Sequence, residues 1–459
     1  MVLCLGSLMV AIDATVINVA LRVIKQELHF SEVSLVWVVN AYLIASGGFL
    51  LLAGRLGDLW GHRRMFSIGV LLFTIASLGC GLATSPVALI AARVLQGLSG
   101  AVVSTVSVAL IMSMFDEAPQ RVRAFGLCAF VSTGGGSLGL LLGGALTSLL
   151  NWHWIFLVNV PIGIAVYILC FTLVPRDSTA SIRGPLDVAG ALTSTGAVML
   201  VVYSLVNSGQ TGWGSMQTAG GLVIAGMLFA LFIAIEAKAP TPLIPLELLR
   251  IRRLAVSNIV ALLLTSALLA WSFLFALYMQ IVLQCSPLEV SLAFLPTNLV
   301  GGLMSLYVTP KLIGKFGTGS PLVIGLIILG IGLLVCTRAP VDGSLVSSVL
   351  PEMLLIGLGS GMACDPVLLT GVSSVSPIHT GAASGLVNTS FTIGGALGLT
   401  ILASLAAVRT GHLRHMGYGV ADALTGGYHT AFWISGVLVV LGAVISAVCL
   451  HGKPDVASG

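Results

Sequence analysis

The sequence predicts an all-α polytopic membrane protein with fourteen transmembrane helices. Of its 459 residues 57% are hydrophobic and only 8% are charged. A soluble domain carries roughly 25% charged residues to wet its surface, so most of this surface must face something other than water. The apolar residues also fall in runs of about 20, the length that crosses a bilayer core. The Lys and Arg residues gather on alternate loops, as the positive-inside rule requires.

The predicted spans, in order, are 2–23, 34–54, 65–84, 88–113, 124–149, 153–174, 187–207, 218–236, 257–281, 290–310, 321–338, 346–372, 383–408 and 428–450. The first carries Asp13 and Asn18 and has no basic lead-in, unlike a cleavable signal peptide. It begins almost at Met1, and the expectation is a short cytoplasmic leader missing from this sequence. With both termini cytoplasmic, the inner loops hold Arg55, Arg63, Arg64, Arg121, Arg123, Arg176, Arg183, Lys238, Arg250, Arg252, Arg253, Lys311 and Lys315, and the tail adds Lys453. The outer side holds only Arg22, Lys25, Arg338, Arg409 and Arg414. Fourteen cations against five set the orientation, and an odd number of spans would scramble the alternation.

Several function classes fall away. The longest hydrophilic stretches, 175–185 and 236–258, are too short for a soluble catalytic or nucleotide-binding domain. No G-x-x-x-x-G-K-[ST] phosphate loop occurs, which argues against an ATP-driven pump. His412 and His415 form an isolated loop pair rather than an enzyme site, so the chain reads as a non-enzyme with no cofactor or metal. Eight cysteines lie singly, without C-x-x-C spacing, and read as small buried hydrophobes. A formal charge of +4 is too small to argue for a nucleic-acid partner. The 55 glycines suit helices that pack closely within lipid.

Two regions resemble one another across the chain. Residues 119–126 lead into a helix with Gly134, Gly135, Gly136, Gly139, Gly143 and Gly144, while 377–385 lead into one with Gly394, Gly395 and Gly398. Each is followed by an aromatic opening, 152–156 and 428–433. A duplicated bundle with its site near the midplane is a common transporter architecture.

An ionisable group at mid-bilayer costs roughly 2.5–3.5 kcal/mol on insertion scales and marks a functional candidate. Asp13, Arg93 and Asp365 stand out, with Thr15 and Asn18 within a turn or two of Asp13. A carboxyl there can load and release a proton as water access alternates; the plainer alternative is a permanent Asp–Arg pair that holds helices together. Arg93 is better suited to organising its neighbours than to carrying a proton. The predicted loop at 54–64 holds Gly54 and Gly61 for tight turns, with Asp58 as an anion among Arg55, Arg63 and Arg64. Asp58 could dock at a helix N-terminus, or the segment is an ordinary basic loop. Trp37, Tyr42, Trp271, Phe275 and Tyr278 could line an apolar cavity, or equally face lipid or a helix neighbour.

Gly54, Leu56, Asp58, Gly61 and Arg63 or Arg64 resemble the G-x-L-a-D-r-x-G-r-k signature of the major facilitator superfamily. Residues 12–21 resemble the first-span motif of its fourteen-helix drug:proton antiporters, and 93–100 the fourth-span motif. Residues 152–163 resemble the junction of the fifth and sixth spans, and 380–389 the entry to the thirteenth. The resemblance covers essentially the whole chain.

It implies the major facilitator fold, two six-helix bundles at 1–174 and 257–459, with two additional helices in the 175–256 linking region. It implies proton-coupled export of drugs, antibiotics or other small hydrophobic organic compounds by alternating access, driven by the proton-motive force. A functional monomer in the cell membrane is expected, its partners being a small organic substrate, protons and membrane lipid. A facilitator or importer of another small molecule on the same fold is the alternative. By analogy, Asp13, Asn18, Arg93 and Asp365 would serve proton or substrate coupling. Gly54, Asp58, Gly61, Arg63, Arg64 and Asp116 would gate the cytoplasmic side, Asp58 facing the helix start near 381–384. Gly135, Gly139, Gly143 and Gly144 match the antiporter glycine motif, although Leu140 stands where that motif has Pro. Arg22 likewise replaces the usual Pro after the first-span motif, and Asp365 is this chain's own.

Overall fold

The computed structural model describes residues 2–114, 118–174, 188–211, 214–238, 248, 250–344, 349–375 and 380–450. Among these residues the chain is helical, with no strand. Helix α1 (Val2–Val16) passes through a 3-10 turn (Ile17–Val19) into the short α2 (Leu21–Glu27). There follow α3 (Glu32–Trp60), α4 (His62–Gly81), α5 (Pro86–Met114), α6 (Ala118–Leu149), α7 (Trp154–Leu157), α8 (Asn159–Leu173), α9 (Val188–Thr211) and α10 (Met216–Glu236). The remaining helices are α11 (Arg252–Leu277), α12 (Pro287–Leu303), α13 (Thr309–Phe316), α14 (Gly319–Val335), α15 (Leu350–Val372), α16 (Thr380–His415) and α17 (Val420–Leu450).

Eleven helical segments are long and apolar enough to cross a membrane, and shorter apolar stretches lie at Ser34–Leu50, Gly134–Leu149 and Leu192–Leu205. Each predicted span overlaps one of these segments. The three shorter stretches sit inside the longer helices α3, α6 and α9. Many apolar side chains that would be unfavourable against water are exposed, among them Leu71, Ile75, Ile164, Ile168 and Phe171. Such faces are the surface expected to meet lipid.

Local chemistry sets the helix ends. Ser31 and Ser34 form a reciprocal cap at the start of α3, each side chain bonding the other's backbone N–H at 3.0 Å. Ser286 and Glu289 do the same for α12. Pro310 lacks the N–H that would bond the carbonyl four residues earlier, and the turn before it, Met304–Val308, widens into a π-helix. Prolines also interrupt α12 at Pro296 and α15 at Pro366.

Two sequence expectations are corrected. The segment 54–64 is not a loop: α3 runs to Trp60 and α4 begins at His62, with Gly61 alone between them at φ 90°. Only that junction demands glycine, because a side chain there would clash with the backbone; Gly54 lies within the helix. His412 and His415 are likewise not in a loop but in the last turns of α16, which continues seven residues beyond its predicted end.

The chain divides into two compact units. One comprises Met1–Met199, Gly226–Leu243 and Ser286–Ser291. Its apolar core joins Met9, Phe66, Phe73, Val103, Val106, Val166 and Cys170 from α1, α4, α5 and α8. The other comprises Leu200–Ala225, Ile244–Cys285 and Leu292–Gly459. Its core contains an aromatic cluster in which Trp271 and Phe275 lie 5.8 Å apart, with Phe294, Tyr278 and Phe432 against them. Trp271, Phe275 and Tyr278 are therefore buried and pack against helix neighbours, one of the places the sequence left open to them.

Candidate functional site

The polar centre of the first unit is a fully buried network around Asp13. Arg93 lies on α5 and Gln96 one turn further along the same face, so both reach towards α1. Arg93 Nη1 donates to Asp13 Oδ2 at 2.6 Å and to Gln96 Oε1 at 2.8 Å. Gln96 Nε2 donates to Asp13 Oδ1 at 2.7 Å and to Ser77 Oγ on α4 at 2.8 Å. Asn159, the first residue of α8, donates its amide to Asp13 Oδ1 at 3.1 Å. Arg93 Nε is held by the Val38 carbonyl of α3 at 2.9 Å. Its guanidinium lies 4.5 Å from the centre of the Tyr42 ring and 5.8 Å from that of Phe156.

Burying two charges costs several kcal/mol per ion, and only good geometry with further hydrogen bonds offsets it. Asp13 meets that condition: both oxygens are engaged, and its three donors come from two helices other than its own. The network thus joins α1, α3, α4, α5 and α8 through one ion pair.

Small residues make the approach possible. At Gly97, on the face of α5 turned to α3, a Cβ would collide with the Tyr42 carbonyl, and one at Gly100 would lie 2.9 Å from the Tyr42 hydroxyl. Gly135, Gly139 and Gly143 form a stripe on α6 that lies directly on α1. Added Cβ atoms there would come within 2.8 Å of Leu8, 2.8 Å of the Ile12 carbonyl and 2.7 Å of Val16. The stripe seats the part of α1 that carries Asp13. Gly144 points elsewhere, against Pro287 and Ser291.

Of the predicted coupling residues, the structure brings Asp13 and Arg93 into direct contact. Asn18 is buried in the 3-10 turn that follows Asp13, but the described bonds to Asp13 come from Arg93, Gln96 and Asn159. Asp365 belongs to the second unit, half-buried on α15, where it accepts a hydrogen bond from Ser305 in the π-turn before α13. Arg63, named for gating, donates to the Phe171 carbonyl near the end of α8 at 2.7 Å and lies over the Phe171 ring. Arg64 is exposed. The side chain of Asp58, the pairing with 381–384, and Asp116 lie outside the described residues.

Sequence reasoning missed three residues. Gln96 and Asn159 stand within the motifs quoted above, yet polarity alone did not mark them as partners of Asp13. The third is Glu352, in the first turn of α15, 4% exposed. The Cys336 thiol lies within hydrogen-bonding reach of it, while Oε2 has no partner among the described residues. The signal was available: Glu352 is an acid inside the predicted span 346–372, which is the criterion that selected Asp365.

Comparison with known proteins places this geometry in a lineage. The chain is 33% identical to the puromycin resistance protein pur8 of Streptomyces alboniger, across 99% of this chain and 92% of that protein. It is 37% identical to the cephamycin export protein CmcT of Amycolatopsis lactamdurans, across 89% and 84%. It is 31% identical to the tetracenomycin C resistance and export protein of Streptomyces glaucescens, across 88% and 75%. Its fold resembles the inward-facing, occupied form of a bacterial homolog to the human lysosomal transporter Spinster, at a TM-score of 0.70 and 16% identity, covering 98% of this chain and 96% of that one. It also resembles the inward open xylose transporter XylE from E. coli, at a TM-score of 0.65 and 14% identity, covering 99% and 96%. The family model described as Major Facilitator Superfamily matches residues 3–399, so that with its helical fold and buried charge pair the chain belongs to that superfamily of secondary transporters.

Proposed function

We propose that this multi-pass membrane protein exports an antibiotic or similar small amphipathic compound in exchange for protons, as a monomer with both termini in the cytoplasm. Relatives named for puromycin resistance and for cephamycin export support the substrate class. The proposed frame is two six-helix bundles linked by two further helices. The observation that carries the coupling role is the buried Asp13–Arg93 pair, the one ion pair between fully buried partners among the described residues. A proton arriving at Asp13 cancels the negative half of that pair. Arg93 is then held by Gln96, the Val38 carbonyl and the Tyr42 ring, while α1 loses its strongest tie to α5. Deprotonation restores the tie, so the proton is converted into a change in how α1 is held. Gly135, Gly139 and Gly143 give α1 a smooth face to move against. Asp365 and Glu352 are further acids that can exchange protons within the second unit.

The test compares cells carrying the wild type with cells carrying Asp13→Asn at matched membrane levels on a panel of antibiotics. The wild type should confer resistance and Asp13→Asn should abolish it. Resistance that survives the substitution rejects the coupling role. In inverted vesicles an imposed proton gradient should drive substrate accumulation, and accumulation indifferent to collapse of the gradient rejects antiport.

A further inference from the structure

A second, separate site lies at the other end of the first unit, on its outer face between α4 and α8. An open cavity of about 490 Å³ is lined by Trp60, Arg63, Arg64, Ser67, Ile68, Leu71, Tyr167 and Phe171. Its chemistry is divided. One end holds two guanidinium groups and the Ser67 hydroxyl, with no acid among the described residues of the lining. The other is apolar and opens onto exposed Leu71, Ile75, Ile168 and Phe171, a face with no cover in the described structure. Trp60, 58% exposed, stands beside the arginines as an amphipathic ring at the polar edge.

A free metabolite would have to leave that apolar face bare, and a soluble anion would need only the arginines. A phospholipid satisfies both ends, because a phosphate meets the cations while its acyl chains run along Ile68, Leu71 and Phe171. Basic pockets between transmembrane helices bind anionic head groups on this pattern. Arg63 is already fixed against α8 by its bond to the Phe171 carbonyl and its place over that ring. That bond orients a planar donor group towards the cavity without a rotamer search on binding. Arg64, exposed one residue on, supplies the second charge.

We propose that this cavity is a binding site for one anionic phospholipid of the leaflet that meets the α3–α4 junction, the cytoplasmic one in our topology. Arg64 is a headgroup ligand on this reading, whatever part Arg63 and Arg64 play in gating. The site is independent of proton coupling, since it shares no residue with the Asp13 network.

The test uses the purified, delipidated full-length protein in detergent, with native mass spectrometry of retained phosphatidylglycerol and phosphatidylcholine. Phosphatidylglycerol should be retained in preference, and Arg64→Gln should weaken its retention about fivefold, the effect of one interfacial cation. Arg64→Lys should retain most of it, and Arg414→Gln, an exposed charge on a different helix, should change nothing. A photoactivatable phosphatidylglycerol should cross-link to α4 and α8 around Ile68, Leu71 and Tyr167. Equal retention of both lipids, no effect of Arg64→Gln, or cross-links elsewhere would overturn the proposal. Full displacement of the lipid by millimolar inorganic phosphate would also overturn it, showing a site for a soluble anion.

Discussion

Asp13 and Glu352 are both acids buried within helices, and their surroundings differ in the respect that decides their energetics. Asp13 is bound by a cation and two amides, so removing its charge strands Arg93 in the interior. Breaking one side of a buried pair costs roughly 3–5 kcal/mol, because the remaining charge is left uncompensated. Asp13→Asn is therefore expected to lower thermal stability in detergent by an amount of that order. Asp13→Asn with Arg93→Gln should recover part of the loss, and the non-additivity in a double-mutant cycle measures the pair. Strict additivity would mean that the two charges do not support each other. Glu352 has no cation within ion-pair distance among the described residues, and Oε2 is unpartnered. Glu352→Gln replaces an acid with a neutral group of the same shape, and burying an unpaired charge is what it avoids. It should leave the melting temperature unchanged or raise it; a drop as large as that of Asp13→Asn would mean that Glu352 pairs with a cation after all.

At the scale of helices, close approach is decided by single hydrogen atoms. Gly139→Ala places a methyl 2.8 Å from the Ile12 carbonyl, so α1 and α6 must separate. Overpacking of this kind costs about 1–3 kcal/mol. Gly134, on the same helix, has nothing within 4 Å of its added Cβ, and Gly134→Ala should be neutral or stabilise by about 0.5–1 kcal/mol through helix propensity. The melting temperature should fall for Gly139→Ala and hold or rise for Gly134→Ala, and equal losses would show that the glycine stripe does not seat α1. The same contrast explains what the sequence made legible. Apolar runs and cation placement are summed over many residues, so every predicted span finds its helix. The 135–139–143 glycine stripe was visible as a pattern, though its partner helix was not. The 54–64 segment failed because polar residues and glycines look like a loop, whereas helices extending past the hydrocarbon keep their hydrogen bonds in water as well. The Asp13 network was half legible: a charge in an apolar run is conspicuous, but Gln96 and Asn159 are unremarkable until α5 and α8 are brought to α1. Contacts across 83 and 146 residues depend on packing, and no local pattern encodes them.

For the molecule as a whole, the distribution of cations makes a prediction that reaches beyond any one helix. On the proposed topology Lys315, exposed at the end of α13, lies on the side where fourteen cations gather, and exposed Tyr418, after α16, on the side with five. The count is not a net-charge effect, because few acids enter it; it reflects the resistance of Lys and Arg to crossing during insertion. In a cysteine-free background, Lys315→Cys should stay unreactive towards an impermeant thiol reagent in intact cells and label only after permeabilisation. Tyr418→Cys should label in intact cells. Four apolar segments, α14 to α17, separate Lys315 from the tail; three of them, α14 to α16, lie between the two probes, and α17 alone lies between Tyr418 and the tail. Reactivity of both positions from outside would mean that α14, α15 and α16 do not alternate as three crossings, and the fourteen-span count would fall with them. Reversed labelling would keep the count and invert the orientation, moving the α3–α4 junction and its arginines to the outer leaflet.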